Sequence, residues 1–185
     1  MAKKKAKIKK SWYKLMAPSI FNNIEVSETL TDDISKLNNR KMKIELRKLM
    51  PNTDKNYANV FLQVKKIEGD QAQTVLYGHD CAREYIYRLS RKGTDRLDVI
   101  EDVKTKDGAR VRVKAVAITL RKTETATKKD VGAKIREIIQ KEATSKDFDK
   151  FMHEIFLNGL QKKILKAVKT IYPLRVLEIR KTEVL

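Results

Sequence analysis

The 185-residue chain contains little cysteine, proline or glycine: one cysteine, Cys81, three prolines and six glycines. One cysteine excludes an intramolecular disulfide framework and any zinc site built from several cysteines. The glycines never form the phosphate-binding patterns GxxxxGK[ST] or GxGxxG, so no motif indicates a nucleotide-binding site. Long apolar runs are missing as well. None comes near the roughly 20 residues of a membrane-spanning helix, and none follows the lysines of residues 1–10 as in a secretory signal.

Acidic residues are scarce relative to basic ones, 24 against 42, which leaves a formal net charge of +18 and a pI near 9.9. Such a charge repels itself in a compact domain, and a polyanionic partner would relieve the repulsion. Nucleic acid is the first candidate partner and an anionic membrane surface the second. From the length we expect a single domain over residues 12–185, preceded by a basic tail of residues 1–11, in a soluble cytoplasmic protein.

The N-terminal segment divides into this tail and an aromatic stretch. The tail has many lysines and no apolar period, so we expect it to be disordered alone and ordered by phosphate contacts. Residues 12–21 are predicted to be extended, because Pro18 disfavours a helix at the residue before it. Their aromatic side chains, Trp12, Tyr13 and Phe21, are expected either to stack on exposed RNA bases or to pack on the core, and core packing is favoured for Trp12.

Alternating polar and apolar residues predict several strands. In the first of them, Met42, Ile44 and Leu46 alternate with mostly basic residues. An Asp-Gly turn at Asp107-Gly108 predicts a hairpin between two of the others. The predicted strands cover residues 41–47, 60–64, 74–77, 96–105, 109–120 and 174–182.

Helical periodicity predicts four helices. The first is short, with Asp80 as its cap, Cys81 on its apolar face and Gly93 as the residue that ends it. The second begins at a capping box of Thr127 and Asp130. The other two cover residues 148–156 and 160–171. Together with the strands, this order predicts an α+β fold: a largely antiparallel β sheet or barrel with an inserted helix and C-terminal helices.

The two histidines give little support to catalysis or metal binding. His153 lies off an apolar helix stripe, so we interpret it as solvent-facing. His79 is followed by Asp80 and Cys81, but adjacent residues at a helix start point in different directions, and we interpret the triplet as structural. No pair of histidines at helical spacing and no CxxC is present, so no transition-metal site is predicted.

Two adjacent acidic pairs, Asp32-Asp33 and Glu101-Asp102, are potential Mg²⁺ ligands of a nuclease. Neither pair occurs in a recognisable motif, and Asp32-Asp33 is better explained as a turn cap. We therefore predict a protein without catalytic residues, metal or cofactor. A Mg²⁺-dependent RNA-processing enzyme that uses Glu101 and Asp102 is one alternative, and a basic chromatin protein is another.

Basic residues recur on several separate predicted surfaces: the tail, the outer strand positions, the segment before the second helix and one stripe of the last helix. This recurrence indicates a protein embedded among phosphates, with side chains that position the nucleic-acid backbone rather than read its bases. The predicted RNA-binding residues are Lys3, Lys4, Lys5, Lys7, Lys9, Lys10, Lys41, Lys43, Arg110, Arg112, Lys114, Arg121, Lys122, Lys128, Lys129, Lys162, Lys166, Lys169, Arg180 and Lys181.

Three motifs in fixed order make the chain resemble a known family. They are WYxxxAPxxF at residues 12–21, DVKTxDG at 102–108 and IYPLR at 171–175, joined by Arg112 and by Arg180-Lys181. From about Lys9 to the C-terminus, the chain resembles the archaeal and eukaryotic small-subunit ribosomal proteins called S-three-a, or e-S-one. Because it ends without the long tail of eukaryotic members, the archaeal type is expected.

The resemblance implies a non-catalytic protein of the small ribosomal subunit, bound to ribosomal RNA on the platform near the messenger exit. The implied partners are the small-subunit ribosomal RNA and neighbouring platform proteins, with no membrane and no free homo-oligomer. It places the protein on the ribosome in the cytoplasm. The motifs themselves are expected to be structural, while the surrounding lysines and arginines contact RNA.

Overall fold

The structure is a computed structural model that describes residues 10–51 and 53–185, so residues 1–9 of the predicted tail lie outside it. An eight-stranded sheet is combined with helices, which confirms the predicted α+β class. The strands are β1 (Ser11–Met16), β2 (Glu25–Thr31), β3 (Lys41–Glu45), β4 (Ala58–Glu68), β5 (Gln71–Cys81), β6 (Arg96–Lys104), β7 (Arg110–Thr119) and β8 (Leu174–Val184). The helices are α1 (Leu46–Leu49), α2 (Arg83–Leu89), α3 (Thr125–Ser145), α4 (Phe148–Phe156) and α5 (Gly159–Val168).

The sheet is forked at β5. The strand order is β2-β1-β5-β8-β7-β6, while β4 pairs with the other edge of β5 and carries β3. On the edge opposite β4, residues 71–73 of β5 pair with β1 and residues 78–80 pair with β8. The β1–β5 pairing is parallel and the other pairings are antiparallel. The sheet is therefore mixed, and in the described residues it stays open rather than closing into the barrel that was the alternative.

One face of the sheet, called the inner face here, is covered by α3, α4 and α5. On β7, Val111 and Val113 are buried on this face, while the intervening Arg112 points to the opposite, outer face. Ile135 of α3 and Phe151 of α4 are fully buried in the same cluster. Burial of each such side chain stabilises the fold by roughly 1.5–3 kcal/mol. No helix in the described ranges is long and apolar enough to cross a membrane.

The outer face is covered at one end only, by α2. There Ile86 of α2 packs with Cys81 of β5 and with Val116 and Ile118 of β7 in a second apolar cluster. The side chain of Arg175 donates to the carbonyl of Leu89 and so satisfies a C-terminal carbonyl of this helix. Away from α2, the outer positions of β6, β7 and β8 are mostly charged.

The predicted hairpin is confirmed: β6 and β7 pair from Arg96 opposite Ile118 to Lys104 opposite Arg110. Gly108 in its turn has φ +88°, a conformation that residues with a Cβ rarely adopt. The strands of residues 41–47 and 174–182 are also confirmed, although β3 stops at Glu45 because α1 begins at the next residue.

The start and end of the first predicted helix were wrong. Asp80 and Cys81 belong to β5, where they pair with Asn59 and Ala58 of β4, and the helix begins only at Arg83. Backbone pairing with β4 therefore overrides the helical spacing of the apolar residues. The helix also ends before Gly93, since Leu89 is its last residue.

The predicted capping box was wrong as well. Thr127 and Asp130 lie inside α3, which begins at Thr125 with Glu124 at the N-cap. The third and fourth predicted helices are confirmed as α4 and α5, although α5 ends at Val168 and Ile171 lies beyond it.

The aromatic stretch forms β1 and a following turn, and its side chains divide between core and solvent. Tyr13 and Phe21 are buried, whereas Trp12 is 61% exposed. Trp12 faces away from the core because it alternates with the buried Tyr13 and Leu15, and across the ladder it pairs with exposed Leu30 of β2. The favoured core packing of Trp12 was therefore wrong, and β2 was not predicted at all.

Candidate nucleic-acid interface

The outer face of β6, β7 and β8 holds three of the predicted cations in defined geometry. Arg112 donates from Nε to Asp102 Oδ1 at 2.6 Å and from Nη2 to Oδ2 at 2.7 Å, a bidentate pair across the hairpin. Lys114 and Lys181 both bind Glu183, at 2.7 and 2.6 Å. Their hydrogen bonds lower the pKa of Glu183 to about 2, so this carboxylate stays charged and orients both ammonium groups.

A second group of cations lies on the edge strand β3. Lys41 and Lys43 are exposed on the face opposite Ile44, as the alternation predicts. The Lys41 ammonium stands 3.5 Å from the centroid of the Tyr77 ring on β5, a cation–π contact that fixes its direction while leaving its charge unneutralised.

A third group of cations lies along α5 and at its C-terminal end. Leu160, Ile164 and Val168 are buried on one side of this helix, and the predicted stripe of Lys162, Lys166 and Lys169 is exposed. The neighbouring Lys163 is different, because its ammonium binds Glu142 at 2.9 Å and Glu154 at 2.7 Å. These carboxylates raise the pKa of Lys163 and neutralise its charge locally.

The loop between β7 and α3 brings further cations towards the end of α5. The hydroxyl of Tyr172, shortly after α5, donates to the carbonyl of Arg121 at 3.5 Å. Arg121, Lys122 and Lys129 are exposed. Lys128 lies in the same region and binds Asp95 at 2.9 Å.

Most of the predicted cations that the structure describes lack an acidic partner. Within residues 10–51 and 53–185, ion pairs neutralise Arg112, Lys114, Lys128 and Lys181. In the same ranges no ion pair forms to Lys10, Lys41, Lys43, Arg110, Arg121, Lys122, Lys129, Lys162, Lys166, Lys169 or Arg180. Lys3, Lys4, Lys5, Lys7 and Lys9 lie outside the described residues.

These cations do not converge on one point. Arg110 and Arg121 flank opposite ends of β7, and ten residues of strand separate its ends by roughly 30 Å. β3 is an edge strand, and β4, β5 and β8 lie between it and β7. The arrangement is a set of separate basic surfaces around one fold, which suits an extended polyanion better than a small ligand.

His79 and Cys81 are structural groups. The His79 ring is buried, with Nε2 3.0 Å from the Ile179 carbonyl and Nδ1 2.8 Å from the Thr182 hydroxyl. Because a carbonyl only accepts, Nε2 carries the proton and Nδ1 accepts from Thr182. Burial, with a smaller effect of Lys55, lowers the pKa of His79 to about 4. Burial also disfavours the charged form of Cys81: it raises the pKa of the thiol to about 12, so Cys81 is not a reactive thiolate at neutral pH.

The acidic pairs form no metal site. Glu101 and Asp102 are successive strand residues that point to opposite faces: Asp102 is bound by Arg112, and Glu101 accepts from Gln140 of α3 at 2.5 Å. Asp33 caps a turn by accepting from the backbone N–H of Ser35, as predicted. No cluster of three or more metal-ligating side chains occurs in the part of the chain that the structure describes. The Mg²⁺-dependent enzyme therefore has no support.

A buried polar network beneath the helices was missed. Lys55, 3% exposed, donates to Glu178 Oε1 at 3.1 Å and to the Ile155 carbonyl at 2.9 Å. The Tyr57 hydroxyl donates to Glu178 Oε2 at 2.9 Å, and Gln161 Nε2 donates to Oε1 at 3.4 Å. The network joins the loop before β4 to α4, α5 and β8. No local pattern marks it, because Lys55 and Glu178 are 123 positions apart.

The open mixed sheet, apolar on its inner face and surrounded by exposed cations that lack ion pairs among the described residues, defines a basic α+β protein. Comparison with known proteins makes this specific: the chain matches the Ribosomal S3Ae family over residues 2–185. The chain belongs to this family, as the three motifs predicted. The family is one of structural ribosomal proteins and not of enzymes.

Similar proteins cover nearly the whole chain. Small ribosomal subunit protein eS1 of Methanopyrus kandleri is 36% identical over 180 residues, 95% of this chain and 85% of that protein. The protein of the same name from Archaeoglobus fulgidus is 36% identical over 178 residues, 95% of this chain and 84% of that protein. The one from Sulfolobus acidocaldarius is 34% identical over 177 residues, 95% of this chain and 90% of that protein. All three come from archaea, in agreement with the predicted archaeal type.

Proposed function

We propose that this protein is a structural constituent of the small ribosomal subunit that binds ribosomal RNA on the platform, near the messenger exit, and supports translation. Its cations neutralise the repulsion between RNA segments that the subunit brings together. Its partners are the small-subunit ribosomal RNA and neighbouring platform proteins, on ribosomes in the cytoplasm. It needs no cofactor and does not act as a free homo-oligomer.

The observation that carries this proposal is the surplus of exposed cations without acidic partners in the described part of a member of a ribosomal family. An exposed ion pair already has its counter-charge, whereas an unpaired ammonium or guanidinium is available to a phosphate. Each phosphate contact releases condensed counterions from the RNA, which favours binding at low salt. The spread of the cations over several surfaces suits a protein that lies between RNA segments.

In this proposal residues 12–185 act as one RNA-binding domain, and residues 1–11 act as a basic tail that orders on phosphates. A further RNA-facing element lies at the start of β1 and just before it: Lys10, Trp12 and Lys14 alternate on the exposed side, and Lys14 is bound by Glu25 at 3.0 Å. The exposed indole lies beside the Lys10 ammonium, which forms no ion pair among the described residues, and this suits stacking on an unpaired base whose phosphate Lys10 contacts.

Sedimentation of small subunits tests the proposal. The full chain, tagged in its own cells, is expected to stay with small subunits through a wash at about 0.5 M salt, because several basic surfaces are held at once. The matched controls are established small-subunit proteins in the same gradient. If they stay bound while the tagged chain moves to the top of the gradient, the proposal is wrong.

A further inference from the structure

A groove opens on the outer face where α2 meets β7 and β8. Its cavity measures about 270 Å³, many times the roughly 30 Å³ that one water occupies, so it has space for a group of phosphate size. The cations that line it are Arg83, Arg96, Lys114, Arg180 and Lys181. They come from four different elements, and Arg83 and Arg96 are not among the RNA-binding residues predicted from the sequence.

A β-bulge gives the groove two consecutive basic side chains. The ladder between β7 and β8 passes from Lys114 opposite Lys181 to Ala115 opposite Ile179, so Arg180 is an extra residue on β8. In a regular strand, Arg180 and Lys181 would point to opposite faces. Here both line the same cavity, because a bulge re-aims the side chains beside it.

The groove is positive after its own acids are counted. Lys114 and Lys181 share Glu183, and Arg96 binds Asp98 at 2.8 Å. The acid that lines the cavity itself is Asp80. With Asp80, Asp98 and Glu183 set against the five cations, the groove keeps two positive charges.

Two guanidinium groups in the groove are unoccupied by protein acceptors. Among the residues that the structure describes, neither Arg83 nor Arg180 forms an ion pair or a side-chain hydrogen bond. A guanidinium presents a planar fork of donors that matches two oxygens of a phosphate, and it is weakly hydrated, so it gives up water at low cost.

An exposed aromatic ring stands at the rim of this cavity. Tyr87 lines it from α2 and is 70% exposed, while the adjacent Ile86 anchors the helix in the apolar cluster beneath. A ring held by a packed helix beside unpaired guanidinium groups provides a flat surface for a base next to the place where its phosphate binds.

We propose that this groove binds the sugar-phosphate backbone of ribosomal RNA, with Arg83 and Arg180 on phosphates and Tyr87 stacked on an unpaired base. The inference rests on the proposed function and assigns one of its contact sites. Lys114 and Lys181, oriented by Glu183, add positive potential to the groove wall. An acidic segment of a neighbouring protein is the competing occupant, and the test below separates it from RNA.

The phosphate contacts are tested with Arg83→Glu and Arg180→Glu in the full-length protein, binding a transcript of small-subunit ribosomal RNA over a range of salt concentrations. Each substitution is expected to weaken binding and to reduce the slope of log K against log salt by about 1. The gentler Arg83→Gln and Arg180→Gln are expected to change the slope in the same direction. Thermal unfolding of each variant verifies that the fold is kept.

The matched control is Lys150→Glu, which makes the same change of net charge on a different surface. The Lys150 side chain is 77% exposed beside Asp147, and Asp107 and Asp149 lie in the same region. Phosphate is repelled from such an acidic surface, so this variant is expected to bind the RNA with nearly the wild-type slope.

Stacking is tested separately with Tyr87→Ala and Tyr87→Phe. Removal of the ring is expected to weaken RNA binding about tenfold without changing the salt slope, and Phe is expected to retain wild-type affinity. Equally weakened binding for Ala and Phe would contradict stacking and indicate a role of the hydroxyl group.

The outcomes also separate this inference from the proposed function. If the Arg83 and Arg180 variants bind RNA like the wild type and also enter small subunits, the groove inference is wrong and the proposed function stands. If they bind RNA normally but fail to enter subunits, the occupant is an acidic protein segment and the RNA inference is again wrong. Failure of the wild type to bind ribosomal RNA would overturn both.

Discussion

The inner and outer faces of β7 are made from alternate residues of one ten-residue strand, and different properties of the side chain matter on each face. On the inner face Val111 and Val113 must fit beneath helices, and the buried Lys55, which donates to the Ile155 carbonyl of α4, is matched to a carboxylate. On the outer face, at Arg110 and Lys114, the charge of the side chain matters more than its shape. Outer residues become apolar only where α2 covers them, at Val116 and Ile118.

This difference teaches that stability and RNA binding are carried by separate sets of residues in the same strands. A change on the inner face should alter the free energy of unfolding and affect RNA only through loss of fold. A change of an exposed cation should alter the salt dependence of RNA binding and leave stability almost intact. The following experiments try to break this separation, beginning with the largest expected effect.

The strongest test on the inner side is Lys55→Met. Glu178 would remain buried without its cation, so the free energy of unfolding is expected to fall by about 3–5 kcal/mol. Urea unfolding followed by circular dichroism measures the change. Lys150→Met, at an exposed lysine, serves as the control and should stay within about 0.5 kcal/mol of the wild type. A decrease below about 1 kcal/mol for Lys55→Met would show that the buried pair is not needed.

Gly78→Ala tests the junction of β5 and β8. At this junction, β8 pairs with β5, the strand at which the sheet forks. An added Cβ would stand 2.1 Å from the Thr182 carbonyl oxygen, so the two strands must separate, at a cost of about 3 kcal/mol. The control is Gly132→Ala in α3, where the nearest atom is Arg136 Nη1 at 3.9 Å. That change should stabilise the protein by about 0.5–1 kcal/mol, because Ala favours a helix over Gly. Equal effects of the two changes in urea unfolding would contradict this account of the junction.

The buried His79 predicts a pH dependence of stability. Its folded pKa of about 4 lies below the unfolded value of 6.5, so the unfolded state binds more protons between these values. The stabilisation by neutral His79 is complete above pH 6.5 and is lost as the pH falls towards 4, by about 2 kcal/mol at pH 5. His79→Gln should remove this component of the pH dependence, whereas His153→Gln, at an exposed site, should retain it. A wild-type profile unchanged by His79→Gln would contradict the assignment.

The smallest effect on stability is expected on the outer side, from Ala substitutions of the stripe Lys162, Lys166 and Lys169. Each should change the free energy of unfolding by less than about 0.5 kcal/mol, because these side chains are exposed and unpaired. The log-log salt slope of ribosomal RNA binding should fall by about 0.7–0.9 for each phosphate that the protein no longer neutralises. Lys163→Ala, one position along the same helix, is the control and should leave the slope unchanged because Glu142 and Glu154 already hold that charge. A salt slope that falls for Lys163→Ala but not for the three stripe substitutions would contradict this account.

Local patterns predicted much of this fold. The alternation of β3 and β7, the Asp-Gly turn and the stripes of α4 and α5 are all signals that a few neighbouring residues carry. The predictions failed where long-range pairing decides: at β2, whose residues lack clear alternation, and at Cys81, where pairing with β4 extends the strand. The burial of Tyr13 and exposure of Trp12 depend on which side of β1 the core lies, and the segment alone does not determine this.

The candidate interface was predictable as a set of cations, but its grouping was not. Spacing along α5 correctly identified Lys162, Lys166 and Lys169 as one stripe. The groove depends instead on a bulge at Arg180 and on where α2 packs, both of which arise from pairing between distant strands. Nor does composition tell an unpaired lysine from one such as Lys163, since the two carboxylates that bind it come from other helices.

RNA–protein crosslinking in assembled small subunits, followed by identification of the crosslinked peptides, tests the division between the two faces most directly. We predict crosslinks on the exposed cations of the outer face and α5 and on Tyr87 of α2. Peptides from the inner face, such as those containing Val113 or Ile135, should be free of crosslinks. Crosslinks confined to residues 1–11, with the outer face and α5 unmodified, would contradict the claim that the folded domain itself binds the RNA.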